Sequence, residues 1–109
     1  MPNTYTNAKK DLTGTSETTL YTAPALTTAI VKSILVSEDA GSGSTITLTI
    51  TDAESSPATF NLYKTKTISS NATEELLTAP LVVKTGEILK VTAGNANRLH
   101  VVASILEIS

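Results

Sequence analysis

A chain of 109 residues with 40 % hydrophobic side chains has the size of one domain and enough aliphatic content to bury a core. Only 17 % of its residues are charged, which excludes the highly charged, aliphatic-poor composition of a disordered chain. The net charge is −2, and the 8 Lys and Arg residues are scattered, which excludes a basic stripe for nucleic acid or anionic lipid.

Cysteine is absent, so no disulfide framework exists and the redox compartment stays open. No apolar run is long enough to span a bilayer, and the polar start, MPNTYTNAKKDL, lacks the pattern of a secretory signal. Threonine is abundant, β-branched and polar, and suits a pleated surface.

Residues 1–17 are polar and Thr-rich and form either a first strand or an arm that orders against another subunit. Within them, Thr4, Tyr5, Thr6, Asn7 and Ala8 are the candidate assembly contacts, with Tyr5 as the anchoring side chain. Residues 18–109 make up the folded domain. Thr18 to Ala23 is a strand that ends at Pro24, where a backbone donor is lost. Thr27 to Ser37 is a longer strand, with Ile30, Ile34 and Val36 expected on one face and Val31 and Leu35 on the other.

Glu38 to Gly43 is an acidic, glycine-bearing loop. In Ser44 to Asp52, Ile46, Leu48 and Ile50 alternate with threonines, the signature of a strand with one face buried. After a turn at Ala53 to Pro57, Thr59 to Lys64 alternates again and places Phe60 and Leu62 inside. Residues 71–79 fit a short helix opened by Asn71 and Glu74, or an extended segment; the extended reading is preferred. Leu81 to Lys84, Ile88 to Thr92 and Leu99 to Ile108 are strands separated by turns at Gly86 and Gly94. Leu89 and Val91 face inward, and the last strand is apolar on both faces. About eight strands with turns at short intervals predict an all-β, single-domain antiparallel β-sandwich of jelly-roll type.

Chemistry-bearing residues are few. His100 is the only imidazole, and without cysteine or His spacing it reads as structural or interfacial rather than as a metal ligand. Glu38, Asp39, Asp52 and Glu54 would make a calcium site if their loops met, but the Asp-x-Asp-x-Asp spacing is missing and solvated loops are expected. Glu74 and Glu75 read as charges guarding an edge. Asn71-Ala-Thr73 matches a glycosylation sequon by chance. No catalytic residue, metal site or cofactor is expected.

Two segments carry a resemblance. Residues 19–24 (TLYTAP) lead into 27–36 (TTAIVKSILV), and 72–91 (ATEELLTAPLVVKTGEILKV) precede 99–108 (LHVVASILEI). Their order resembles small virion structural proteins of tailed bacteriophages, including cyanophages and other marine phages. The resemblance implies a sandwich that assembles as a homo-oligomer on a capsid, neck or tail, and it carries over no catalytic residue. The expectation is a non-enzymatic capsid decoration (cement) protein on the outer surface of the virion. It would bridge subunits of the phage major capsid protein, with a trimer as the simplest ring. A neck or tail component and a host-glycan-binding module are the alternatives. Neither direct nucleic-acid contact nor a membrane is expected.

Overall fold

The computed structural model describes residues 3–109. These residues form nine strands: β1 (Asn3–Leu12), β2 (Thr18–Thr22), β3 (Thr28–Glu38), β4 (Ser44–Thr51), β5 (Thr59–Ile68), β6 (Thr73–Glu75), β7 (Leu81–Val83), β8 (Ile88–Ala93) and β9 (Leu99–Ile108). One sheet runs β1-β9-β3-β6, with β7 also paired to β3; the other runs β2-β8-β4-β5. All pairings are antiparallel. With β6 and β7 taken as two pieces of one strand along β3, this is the eight-strand order of a jelly roll. The expected fold class is correct. The extended reading of residues 71–79 also agrees with β6 at Thr73–Glu75.

β3 and β9, read as apolar on both faces, are the two central strands of the first sheet. Their inner faces put Ala29, Val31, Ile34, Val36, Leu99, Val101, Ala103 and Ile105 against Ile46, Leu48, Leu89 and Val91 of the second sheet. The expected faces of β3 are corrected. The register shifts between Val31 and Ser33, which leaves Lys32 as the extra residue of a bulge. Side-chain parity flips there, so Val31 joins Ile34 and Val36 inside, and Ile30 joins Leu35 outside.

β5 behaves likewise. Leu48 pairs with Tyr63 and Thr49 with Asn61, so Leu62 bulges out and is 37 % exposed. Phe60 pairs with Ile50 at the end of the sheet and is 54 % exposed. Neither is a core residue, contrary to the period-two expectation, and Ile50 is only half-buried. A second shift near Thr65, at φ 55, brings Ile68 fully inside. Two irregularities on an edge strand also discourage edge-to-edge pairing.

Asn3–Leu12 forms the outer strand of the first sheet, paired residue for residue with β9 from Asn3↔Ile108 to Leu12↔Leu99. Thr4 to Ala8 therefore lie against Glu107 to Ala103 of the same chain. Met1 and Pro2 lie outside the described residues.

Two carboxylates patch the frame. Beyond β6 the Ile34 carbonyl still accepts from the Leu76 N–H at 2.8 Å, and beside it Glu75 takes over as acceptor for the Ile34 N–H at 2.8 Å, the Leu77 N–H at 3.1 Å and the Ser33 hydroxyl. Desolvation opposes its charge, but these three donors outweigh it and hold the carboxyl below its ordinary value. Glu75 is therefore a backbone acceptor as well as an edge charge. At the opposite end of the first sheet, Tyr21 donates to Glu107 Oε2 at 2.6 Å and links the two sheets. Desolvation, then the hydrogen bond and charge of Glu107, push the Tyr21 phenol well up.

Candidate functional site

The register of the first sheet sorts its outward side chains into rows. Tyr5, Leu106, Ile30 and Val82 form one row across β1, β9, β3 and β7. Asn7, Ser104 and Ser33 form the next, small and polar. Lys9, Val102, Leu35 and Glu75 follow, then Asp11, His100, Ser37 and Thr73. The inner face of this sheet already packs on the second sheet, so an outer face with one apolar row, and with Val102 and Leu35 in another, is surplus to the fold. Tyr5 is 75 % exposed and Val82 52 %.

The two ends of the sandwich differ. The Tyr21–Glu107 link puts the row Tyr21, Leu89, Ile50 and Phe60 at the same end as Tyr5 and Val82. Leu26, in the β2–β3 loop of this end, is 89 % exposed. The four most exposed of the large apolar side chains, Leu26, Tyr5, Phe60 and Val82, thus lie at one end, on sheet face, loop and neighbouring edge.

The other end is polar. His100 stands between two carboxylates, Nε2 at 3.2 Å from Asp11 and Nδ1 at 3.2 Å from Asp39. Glu38 turns inward and is nearly fully buried. It accepts the N–H groups of Asn71 (2.8 Å), Ala40 (3.1 Å), Gly41 (3.1 Å) and Ser42 (3.4 Å). The Asn71 N–H is the chief reason its carboxyl sits below the ordinary value; burial opposes this, and the three loop donors add to it. Arg98 donates to the Gly43 carbonyl at 2.8 Å and ties the β8–β9 turn to the same loop.

These positions separate the four carboxylates considered for calcium. Glu38 ends β3 and Asp39 follows it, whereas Asp52 and Glu54 follow β4, which runs from one end of the sandwich to the other. Seven residue steps of strand put the pairs roughly 25 Å apart. Asp52 is occupied locally, accepting the N–H groups of Glu54 at 3.3 Å and Ala58 at 3.0 Å. Among the described residues no group of three His, Cys, Asp or Glu side chains is placed to hold a metal ion.

Of the candidate contacts, Tyr5 and Asn7 point outward, and Thr4, Thr6 and Ala8 share the face of the buried Ala103 and Ile105. Tyr5, Thr6 and Asn7, with Lys32, Ser104 and Ile105, line an open cleft of about 340 Å³. Its place follows from the row of small side chains and from the β3 bulge, which carries Lys32. Sequence reading singled out Tyr5 and missed Leu26 and Val82. Pro24 announced a turn at the former, but nothing in the composition separates an exposed leucine from a buried one.

No protein-family model matches the chain, and no curated protein is significantly similar to it.

Proposed function

We propose that this chain is a non-enzymatic structural protein of a tailed-phage virion, a decoration protein that binds the outside of the capsid and bridges major capsid subunits. The observation that carries the reading is the outer face of the β1-β9-β3-β7 sheet. Its Tyr5–Leu106–Ile30–Val82 row is apolar on a surface that the domain itself has no use for. A protein that covers such a face by binding only an assembled lattice stabilises that lattice by mass action. The jelly-roll order suits the role, since its frame presents a broad sheet face and loop ends to a partner. A homo-oligomer, first a trimer, places several such faces on one local symmetry point of a shell.

The test is localisation on particles. Antibodies against the chain, viewed by electron microscopy on intact phage, are expected over the whole capsid surface. Label confined to the head–tail junction or the tail would move the protein to the neck or tail, and unlabelled particles would contradict the reading.

A further inference from the structure

Lys32 places an ammonium within the outer face of the first sheet. It is the extra residue of the β3 bulge, on an inner strand of the sheet, and a bulge re-aims the side chain it carries. That side chain lines the same cleft as Tyr5 and Asn7, which stand two strands away on β1, roughly 10 Å across the sheet. Between them lies Ser104 of β9, whose small side chain leaves the space. The row on one side of the cleft is Tyr5–Leu106–Ile30–Val82, and the row on the other holds Val102 and Leu35.

The domain supplies no counter-ion. Among the described residues no carboxylate pairs with Lys32. Glu75, Glu107 and Asp11, on the strands around it, are turned to the Ile34 N–H, the Tyr21 hydroxyl and His100. Nor does the fold occupy the other polar groups of the cleft. Among the described residues the Tyr5 hydroxyl, the Asn7 amide and the Ser104 hydroxyl make no side-chain hydrogen bond. An ammonium with an amide N–H and hydroxyls beside it can donate from several sides, and a carboxylate, which only accepts, is the complement. The net charge of −2 and the aliphatic surround favour a single carboxylate on a protein over a phosphate chain.

Covering this face takes water from Lys32 along with the apolar row, and an ammonium stripped of water without a counter-charge is strongly unfavourable. We propose that the protein surface bound by this face presents a carboxylate side chain, an aspartate or glutamate, into the cleft beside Tyr5, where it pairs with Lys32. Asn7 and Ser104 donate to its oxygens. This rests on the reading of the outer face as the capsid-binding surface, and it adds the chemistry of what meets that face. The apolar row supplies contact area, and the ion pair supplies selectivity, since a partner without the acid would bury the lysine unpaired.

Phage heads that lack this chain are the probe. Wild-type protein should bind them and Val82→Lys should not. Lys32→Met should bind about 30-fold more weakly or worse, with an unchanged melting temperature, because the partner's carboxylate is left buried without its counter-charge. Lys32→Arg, which keeps the charge, should bind more tightly than Lys32→Met. A carbodiimide joins an amine to a carboxylate with loss of water. Applied to the wild-type complex, it should link Lys32 to an aspartate or glutamate of a head protein, read by mass spectrometry of the joined peptides. Lys32→Met that binds as tightly as wild type while Val82→Lys fails would overturn the ion pair and leave the capsid reading standing. Cross-links that never include Lys32 would do the same. Heads that bind no wild-type protein would defeat the capsid reading, and the ion pair with it.

Discussion

The Asn71 N–H donates to Glu38 Oε1 at 2.8 Å across 33 positions of sequence, and so fastens the β5–β6 turn to the β3–β4 loop. Asn71 itself sits at φ 56, a left-handed conformation that asparagine tolerates better than most residues. The buried carboxylate is thus the hub of the polar end, with Ala40, Gly41 and Ser42 supplying further donors.

This relationship has a pH signature. Glu38 and Glu75 both have carboxyls held below the ordinary value in the folded chain. Each contributes stability that is present above the unfolded-state value, about 4.3 for glutamate, and is lost as pH falls through the lower folded value. The urea midpoint is expected to be flat near neutrality and to fall in acid. Glu38→Gln should lower the midpoint at pH 7 and flatten the acid decline. An unchanged acid slope in that variant would mean the four N–H groups do not favour the charge.

The core should respond by position rather than by hydrophobicity. Leu48 is fully buried, so Leu48→Ala is expected to cost roughly 2–5 kcal/mol in denaturant unfolding. Phe60→Ala and Leu62→Ala, on the exposed edge, should each cost less than about 1 kcal/mol, as surface substitutions do. Among the described residues the buried Thr49 hydroxyl has no hydrogen-bond partner, so Thr49→Val should stabilise the fold by about 1 kcal/mol. A large loss at Phe60 with a small one at Leu48 would reverse the assigned faces.

Much of this frame was legible. Ile46, Leu48, Leu89 and Val91 alternate without interruption, and their strands pair in unbroken register between β4 and β8. Where the register slips, period-two reasoning fails for a physical reason: one extra residue at Lys32 or Leu62 sends every later side chain to the other face. Sequence marks neither bulge. Glu38 was legible as a loop acid but not as a buried acceptor, because its donors come from Asn71 and from loop N–H groups that converge only in the folded chain. Of the site, Tyr5 was found from its place in a polar segment. Leu26 and Val82 emerged only once strand order and loop conformation were known.

The first strand offers a separate check. β1 covers one edge of β9 over ten residue pairs, and its Leu12 is buried. Deleting residues 2–12 is therefore expected to expose a long unpaired edge on β9, lower the melting temperature and promote aggregation. A truncated chain that stays monomeric and melts with the full one would show that β1 is dispensable to the sandwich.

The most direct measurement uses phage heads from particles lacking the gene for this chain, mixed with purified protein. Bound copies per head are counted by quantitative mass spectrometry, and the temperature of DNA release is followed by dye fluorescence. Wild-type protein should bind to saturation and raise the release temperature. Val82→Lys, which places a charge in the Tyr5–Leu106–Ile30–Val82 row at an exposed position, should fold normally and do neither. Heads that bind no wild-type protein, or that bind Val82→Lys as well as wild type and are equally stabilised, would contradict the account.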